Sequence, residues 1–447
     1  MIKHFIDIMR SSPQHEAVVS SSLSITYQQL LDKIVYFERW LQEHQVPKGA
    51  VVSFDGDYSS SAIALFLALA NNHNIVVPLS TDSKAHFDDF RDIAQTEYDI
   101  ALGTDDAVLH KTGRVANHQH YDTLKQGDAP GLVLFSSGST GKSKGIVQNL
   151  SKLMSKFTVP RKALRMLIFL QLDHIGGVNS LLYALANKGT VIVARDRSPT
   201  KVCEAIQQFN AQVLPTSPTF LNLLLMSGVY KQYDLSSLQL ITYGTEPMQK
   251  STLERLAQAF PQTTFQQTYG LSEVGILRSK SRDSSSLWVK VGGSEFDVKI
   301  VDGTLRIRSQ SAMLGYLNAP SPFDEDGFMD TEDLVEQDGE WIRILGRKSE
   351  IINVGGAKVF PAEVESILLE MPEVEDVVVY GVPHPMTGKV VTAKIKPSSD
   401  VTPRELKLKM RQFCADKLAS YKIPSKVILT EGTTYNERFK RMRREVK

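Results

Sequence analysis

The chain has 447 residues, of which 42% are hydrophobic and 23% are charged, and its formal net charge is +1. This length allows about two to four domains with an ample buried core, and the balanced charge gives no overall attraction to nucleic acid or to an anionic membrane. Cys203 and Cys414 are too far apart in sequence to suggest a metal-spaced or redox pair. The N-terminus lacks the apolar core of a signal peptide, and no stretch approaches the roughly 20 apolar residues of a membrane helix. We therefore expect a cytoplasmic protein.

Helical and extended patterns alternate through the first part of the chain. Thr26 to Gln29 has the form of a capping box, and Leu30, Ile34, Phe37 and Leu41 follow it on one helical face. Strands are predicted at Ala50 to Phe54, Ile75 to Leu79, Tyr98 to Leu102, Met166 to Leu172, Thr190 to Ala194, Val213 to Thr216, Leu238 to Tyr243 and Thr264 to Thr268. Helices are predicted at Ser59 to Ala70, Val178 to Asn187, Pro218 to Leu225 and Ser251 to Phe260. This alternation predicts an α/β fold, a large N-terminal domain of mostly parallel sheets covered by helices.

The pattern changes after about Lys280. Short strands predicted at Val298 to Val301, Thr304 to Arg308 and Glu340 to Leu345 indicate a small β-rich lobe. Beyond Gly346 a small, mobile α+β domain is predicted, with a helix at Pro361 to Leu369, strands at Val377 to Tyr380 and Val390 to Ile395, and a second capping box at Thr402 to Glu405. The expected domains are residues 1–347 and 351–447, joined through residues 348–350.

A candidate phosphate-binding loop runs from Ser136 to Lys144. It contains glycines that allow close backbone approach, hydroxyl groups that donate hydrogen bonds, and two lysines. The segment departs from the Walker A motif at one residue, because Ser136 stands where the motif has its first glycine. Gly145 to Val147 looks extended, and a helix is plausible only from about Leu150. We therefore predict a loop between two strands that binds phosphate through its own amides; an ordinary Gly/Ser surface turn is the alternative.

Further polar clusters follow predicted strands, where open α/β sheets bind ligands. These clusters are Tyr243 to Pro247, Thr268 to Glu273, Asp330 to Asp333 and Gly346 to Lys348. Together with the loop, their order and spacing resemble the adenylate-forming superfamily of acyl-CoA and aryl-CoA synthetases, nonribosomal adenylation domains and luciferases. The pattern is most similar to the acyl- or aryl-CoA ligases, and the resemblance extends from Thr26 to Lys440.

The resemblance implies a nucleotide site for ATP and Mg²⁺. Its phosphate contacts would be Ser136, Ser137, Gly138, Ser139, Gly141 and Lys144. Thr140 and Glu273 would approach Mg²⁺. The adenine would lie along Gly244, Thr245, Glu246 and Pro247, with Tyr269 on its other face and Gly270 and Ser272 in the same nucleotide-binding segment. Asp333 would accept both ribose hydroxyls, and Arg347 would provide a second contact. Two departures from the family pattern are Ser143, where proline is usual, and Glu332, where glycine is usual.

The resemblance also implies a catalytic lysine at Lys440, which we prefer to Arg441. Without the resemblance, the basic segment from Arg438 to Arg444 would be interpreted as a solvated run of charges or as a weak nucleic-acid-binding patch. The family usually has Asn-Gly-Lys here, whereas Phe439 precedes the lysine in this chain. The C-terminal domain would rotate about Ser349. The loop with Gly355 and Gly356 would then face the pantetheine of coenzyme A.

The implied activity is ATP-dependent conversion of a carboxylic acid to an acyl-adenylate, with pyrophosphate release, followed by transfer to a thiol. His174 would lie beside the acyl carboxylate and favours an acid without an α-amine, although Asp173 could itself bind an amine. The pocket is expected from His174 to Ser180, Thr216 to Leu221 and Tyr243 to Gly244. Coenzyme A is the preferred acceptor. The alternatives are loading of an acyl or peptidyl carrier protein and, from another class, a catalytically silent nucleotide-binding protein. A monomer or homodimer is expected.

Overall fold

The structure is a computed structural model, and it describes residues 1–103, 106–137, 142–194, 196–436 and 439–443. Within these residues the helices are α1 (Ile2–Arg10), α2 (Tyr27–Glu43), α3 (Ser60–Asn71), α4 (Phe87–Ala94), α5 (Gln119–Gln126), α6 (Leu150–Ser155), α7 (Ile175–Ala186), α8 (Pro199–Phe209), α9 (Pro218–Ser227), α10 (Lys250–Ala259), α11 (Pro361–Leu368) and α12 (Pro403–Cys414). Each of them is too short or too polar to cross a lipid bilayer.

The first strands are β1 (Glu16–Ser20), β2 (Leu23–Thr26), β3 (Val51–Asp55), β4 (Ile75–Leu79), β5 (Tyr98–Leu102), β6 (Ala107–Lys111), β7 (Gly131–Ser137), β8 (Ser143–Asn149), β9 (Arg165–Ile168), β10 (Thr190–Val193), β11 (Val213–Thr216), β12 (Leu240–Tyr243) and β13 (Thr264–Gln267). They are followed by β14 (Gly270–Leu271), β15 (Gly275–Ile276), β16 (Arg278–Ser281), β17 (Trp288–Gly292), β18 (Phe296–Val301), β19 (Thr304–Ser309), β20 (Gly315–Tyr316), β21 (Met329–Asp338) and β22 (Trp341–Arg347). The last are β23 (Ile352–Val354), β24 (Ala357–Val359), β25 (Val374–His384), β26 (Gly388–Pro397) and β27 (Lys426–Leu429).

Two sheets form the first part of the fold. In one, the strand order is β13-β12-β11-β9-β10-β1-β2, and the pairs are parallel except for the edge pair β1–β2. The other has the order β20-β8-β7-β4-β3-β5-β6, with a parallel centre and antiparallel pairs at both sides. The predicted helix-covered α/β architecture is confirmed. The second sheet contains more antiparallel pairing than expected.

Local signals in the sequence explain where several helices begin. The Thr26 hydroxyl accepts from the backbone of Gln29, whose side chain accepts from the Thr26 backbone, so the capping box is formed. Thr402 and Glu405 form the second predicted box at the start of α12. Helix α3 is buried along most of its length and contributes, with α2 and α7, to the largest apolar cluster. Burial on all sides explains why α3 is almost uniformly apolar.

The later part of the chain contains two further sheets. Strands β16, β17, β22, β21, β19 and β18 form an antiparallel sheet, as the β-rich pattern predicted. Strands β24, β23, β26 and β25 form the C-terminal sheet, where β27 pairs in parallel with β26. The buried faces of α11 and α12 pack on this sheet through Val364, Leu368, Leu406 and Met410. The predicted small α+β unit is present.

Some predicted boundaries were wrong. The strand expected to reach Leu172 ends at Ile168, and the Leu172 backbone instead donates to the carbonyl of Gly56, which follows β3 of the neighbouring sheet. The first helix, α1, was not predicted from the sequence; its Ile2, Phe5 and Met9 are buried. Such a short helix depends on tertiary packing more than on its own periodicity.

Candidate active site

The predicted site segments follow five parallel strands at their carboxyl ends. The segments are 136–144 after β7, 172–177 after β9, 216–221 after β11, 244–247 after β12 and 268–273 after β13. Four of these strands, β9, β11, β12 and β13, belong to one sheet, and their segments are brought together because parallel strands end at the same edge of a sheet; β7 belongs to the other sheet. Strand topology therefore assembles segments that are far apart in sequence.

The candidate phosphate loop connects two antiparallel strands. Ser136 pairs with Lys144 across β7 and β8, and α6 begins only at Leu150. The prediction of a loop between strands, rather than a P-loop opening into a helix, is confirmed. The predicted contacts Gly138, Ser139, Thr140 and Gly141 lie outside the described residues.

Lys144, Tyr316 and Glu273 form a chain of contacts beside this loop. The Lys144 ammonium lies 4.9 Å from the centroid of the Tyr316 ring, and the Tyr316 hydroxyl donates to Oε1 of Glu273 at 2.8 Å. Burial, and then the negative charge of Glu273, raise the pKa of the Tyr316 phenol. Tyr316 therefore keeps its proton and orients the Glu273 carboxylate. Tyr316 was not predicted from the sequence, because its only local signal is that it is an aromatic residue within the β-rich region.

Asn318 restrains the second strand of the loop. Its side-chain amide donates to the Ser143 carbonyl at 2.9 Å, and its Oδ1 accepts from the Gly145 backbone at 3.0 Å. Ser143 stands where the family usually has proline, and these two bonds restrain the backbone on both sides of Lys144. Asn318 was also missed from the sequence.

Glu273 has the chemistry that a magnesium ion requires. Its carboxylate is buried, with 8% of the residue exposed, and carboxylate oxygen is a preferred ligand of this hard cation. The described part of the chain contains no cluster of three or more His, Cys, Asp or Glu residues that could hold a metal by itself. A single buried carboxylate suits Mg²⁺, which is commonly bound through one or two carboxylates together with substrate phosphates and water.

Gly244 is required by close packing. A Cβ atom at this position would lie 2.6 Å from the Thr268 hydroxyl and 2.8 Å from the Thr268 carbonyl oxygen. The next residue, Thr245, has a φ of 75°, in the left-handed region that few non-glycine residues adopt. Together they turn the backbone sharply at the end of β12.

Glu246 binds other parts of the protein. Its Oε1 accepts from the backbone of Thr219 at 2.9 Å and from the Thr219 hydroxyl, and its Oε2 accepts from the Arg441 backbone at 3.2 Å. The carboxylate thus joins the start of α9 to the C-terminal segment. Any adenine contact of Glu246 would therefore come from its backbone rather than from its carboxylate.

Tyr269, Asp333 and Arg347 form the predicted ribose end of the site. The Tyr269 hydroxyl donates to Oδ2 of Asp333 at 2.5 Å, and Nε of Arg347 lies 3.5 Å from Oδ1. Asp333 faces Arg347 in the register of β21 and β22, which explains the contact. Burial raises the pKa of Asp333, and the nearby Arg347 and the Tyr269 hydrogen bond partly oppose this shift. The carboxylate is therefore costly to ionise and already partly hydrogen-bonded.

The backbone before Asp333 explains why glycine is usual in the family. Glu332 has a φ of 59°, which an L side chain adopts at some cost. Its backbone amide donates to Oδ1 of Asp330 at 2.8 Å, in an Asx turn that supports this conformation. Glu332 is consequently accommodated in the turn that presents Asp333.

His174 and Asp173 have different roles at the end of β9. The His174 Nδ1 accepts from the Gly176 backbone at 3.0 Å and caps α7. Asp173 is buried, and its Oδ2 accepts from the hydroxyls of Ser80 and Ser83 at 2.6 Å and 2.8 Å. These bonds tie the segment to the end of β4. The Asp173 carboxylate thus serves as a structural anchor, which weakens the expectation that it binds a substrate amine.

Lys440 lies between two contacts with the large domain. The Phe439 carbonyl accepts from the Ser217 hydroxyl at 3.0 Å, and the Arg441 amide donates to Glu246. Ser217 follows β11 and Glu246 follows β12, so both anchors lie at the same sheet edge. This brings the Lys440 backbone to the predicted site.

Arg441, the alternative candidate to Lys440 for the catalytic cation, is buried and forms ion pairs. Its Nη1 donates to Oδ1 of Asp376 at 3.0 Å and to the Val377 carbonyl. Arg443 donates to both oxygens of the fully buried Glu365, at 3.1 Å and 2.9 Å, and its Nη1 contacts Glu350 at 2.8 Å. These structural roles of Arg441 and Arg443 were not predicted from the sequence. They support Lys440 as the basic residue that serves the site.

Gly355 and Gly356 form the turn between β23 and β24. Their φ values of 57° and 92° explain the two glycines. The Gly355 amide donates to the Thr387 carbonyl, and the Gly356 amide donates to Oδ1 of Asn353. Asn353 lies in β23 and Thr387 lies between β25 and β26, so these bonds join the turn to the C-terminal domain and not to the other site residues.

Two family models match the chain. Residues 87–317 match the model of the AMP-binding enzyme, and residues 363–438 match that of the AMP-binding enzyme C-terminal domain. A 4-coumarate–CoA ligase of Pinus taeda is 28% identical over 348 residues, which are 70% of this chain. The alignment spans 64% of that relative's own length.

Solved structures share the fold over nearly the whole chain. ATP-bound MatB from Rhodopseudomonas palustris superposes with a TM-score of 0.80 at 22% identity, covering 98% of this chain and 96% of MatB. The o-succinylbenzoate CoA synthetase MenE from Bacillus subtilis, bound to its acyl-adenylate, gives a TM-score of 0.77 at 21% identity and covers 99% and 97%.

Proposed function

The chain belongs to the AMP-binding enzyme family, and we propose that it activates a carboxylic acid with ATP and transfers the acyl group to a phosphopantetheine thiol, most simply that of coenzyme A. The observation that carries this proposal is the position of Lys440. The residues on either side of it bind Ser217 and Glu246, at the ends of two parallel strands. A lysine held there can meet a substrate bound in the crevice beyond the sheet.

The nucleotide would be held at two ends. Asp333 accepts the ribose hydroxyls, and Tyr269 holds that carboxylate in place. Lys144 brings positive charge to the phosphate loop, with Ser136 and the backbone of the loop as donors. Mg²⁺ bound near Glu273 would neutralise charge on the phosphates. Tyr316 keeps the Glu273 carboxylate oriented toward that role.

Adenylation requires two anions, a carboxylate and the α-phosphate, to approach each other. Lys440 places an ammonium group between them and lowers the electrostatic cost of that approach. His174, at the start of α7, borders the acyl carboxylate. The bond that breaks joins the α- and β-phosphates, so pyrophosphate is the leaving group.

The second half-reaction would require a different arrangement of the C-terminal domain. We place the domain boundary at residues 348–350 and the rotation at Ser349, within a short 3₁₀ turn. Rotation would withdraw Lys440 and bring the turn with Gly355 and Gly356 toward the acyl-adenylate. Coenzyme A and a carrier protein offer the same thiol, so both acceptors belong in the test.

A pyrophosphate-release assay with a panel of aliphatic and aryl acids tests the proposal. We expect AMP and pyrophosphate to form only with an acid and Mg²⁺, and mass spectrometry to show an acyl thioester when coenzyme A is added. Release of ADP and phosphate would contradict it. Lys440→Ala should lower the rate about 100-fold or more, since it removes transition-state charge stabilisation, while ATP still binds. Lys409→Ala, which changes a lysine paired with Glu373 in the same domain, is the matched control.

A further inference from the structure

The side chain of Phe439 inserts into an aromatic cluster of the large domain. Its ring centroid lies 5.0 Å from that of Phe169 and 5.7 Å from that of Phe220, at angles of 56° and 86°. Phe169 and Phe220 are fully buried, so they offer a rigid surface. Tyr435 stacks on Phe439 at 5.6 Å and 11°. One aromatic residue thus joins the C-terminal segment to the core of the large domain.

Arg197 covers the same cluster. Its guanidinium carbon lies 5.5 Å from the Phe439 ring centroid and 5.6 Å from that of Phe169. Nη2 of Arg197 donates to both carboxylate oxygens of Asp82 at 2.6 Å, and both side chains are largely buried. Because Asp82 fixes the cation, the guanidinium can stay over the two rings.

The backbone conformation of Phe439 is unfavourable for a residue of its type. Its φ of 53° lies in the left-handed region, which is unfavourable for a bulky aromatic residue. Substitution by glycine would relieve this backbone cost and remove the ring. Because glycine adds no backbone strain at this φ, a loss of docking in Phe439→Gly would be due to the missing ring.

We propose that Phe439 is a positioning residue for Lys440: its ring, covered by Arg197, holds the C-terminal segment against the large domain and opposes the rotation of the C-terminal domain. Lys440 directly follows Phe439, so the aromatic cluster acts together with the Ser217 and Glu246 hydrogen bonds to position its backbone. The catalytic consequence rests on the proposed function, whereas the docking of the segment does not. The residue thus favours adenylation and makes the arrangement for thiol transfer less accessible.

A disulfide cross-link measures docking without any substrate. The hydroxyls of Ser251 on α10 and Ser366 on α11 lie 3.3 Å apart across the two domains. Cysteines at these two positions should cross-link when the C-terminal domain is docked, and the native Cys203 and Cys414 are both buried. In this background, Phe439→Gly should lower the cross-linking rate about tenfold, because an aromatic cluster contributes about that factor to an equilibrium.

Arg197→Ala should lower the cross-linking rate in the same direction, and the loss in the double variant with Phe439→Gly should be less than additive. Arg165→Ala is the matched control, because Arg165 pairs with Glu16 at 2.7 Å, away from the C-terminal segment. An unchanged or faster rate in Phe439→Gly would overturn the proposal. So would a loss in the Arg165→Ala control equal to that in Arg197→Ala.

The two half-reactions provide the catalytic readout. Phe439→Gly should lower kcat for acid-dependent pyrophosphate release about tenfold, with little change in the KM for ATP. Thioester formation from added acyl-adenylate should be unchanged or faster. Equal losses in both half-reactions would indicate a merely structural role and overturn the proposal. If no acid supports pyrophosphate release, the proposed function fails while the cross-linking result still decides the docking role.

Discussion

The Tyr269 hydroxyl donates a 2.5 Å hydrogen bond to Oδ2 of Asp333, and both residues are buried. Tyr269 was predicted from the sequence to stack on the adenine. Its hydroxyl in addition reaches the carboxylate predicted to bind the ribose. A single side chain therefore connects the two ends of the expected nucleoside site.

Removing this hydroxyl should weaken ATP binding. In Tyr269→Phe the ring remains but the buried Asp333 loses a donor, so we expect the KM for ATP to rise about 10- to 100-fold, as for loss of a hydrogen bond to a charged group. The maximal rate should change little. ATP titration in the pyrophosphate-release assay measures both. Tyr121→Phe removes another buried hydroxyl, one that donates to the Ala94 carbonyl at 2.8 Å, and should leave the KM unchanged.

ATP binding should weaken on mild acidification. The ionised form of Asp333 accepts the ribose hydroxyls, and burial raises its pKa above the ordinary aspartate value of 3.8. Protonation, and with it the loss of affinity, should therefore begin at a higher pH than for an exposed aspartate. Equilibrium binding of ATP across the acidic range tests this. The Asp333→Asn variant should bind ATP weakly at every pH. If its ATP affinity instead changes with pH as that of the parent chain does, Asp333 is not the titrating group.

Tyr316 should affect the magnesium requirement. Tyr316→Phe leaves Glu273 without the donor that orients Oε1, so the Mg²⁺ concentration for half-maximal activity should rise about tenfold, as is typical for loss of a group that orients a metal ligand. Glu273→Gln should raise it further. The activity is measured as pyrophosphate release at saturating ATP. An unchanged Mg²⁺ dependence in both variants would mean that the ion is held elsewhere.

Arg441 should matter for stability. Arg441→Met leaves the buried Asp376 carboxylate without its cation, so we expect the free energy of unfolding to fall by about 3 kcal/mol, the cost typical of a broken buried ion pair. Denaturant unfolding measures this change. Arg308→Met is the control, because Arg308 pairs with Asp297 at the surface and should cost well under 1 kcal/mol. Equal losses in the two variants would contradict a structural role for the buried pair.

The positions of several candidate site segments could be predicted because they lie in short local patterns, whereas the roles of their residues were implied by the resemblance. Thr268 to Glu273 combines a turn with polar side chains that follow a strand, whereas Asp330 to Asp333, also expected after a strand, lies within β21. The strand–loop–strand nature of the phosphate loop followed from the extended pattern of Gly145 to Val147, and the register of β7 and β8 confirms it. Roles that depend on a partner in another element, such as those of Tyr316 and Asn318, could not be read in this way.

By itself, the amino-acid sequence determined the alternation of strands and helices, the two capping boxes and the order of the site motifs, because periodicity, caps and turns depend on neighbouring residues. Only the tertiary structure decided that Arg441 is a buried structural cation and that Phe439 packs against Phe169 under Arg197. The burial and charge pairing of these side chains depend on residues from distant strands. No local pattern specifies which residue becomes the partner of another when the sheets assemble.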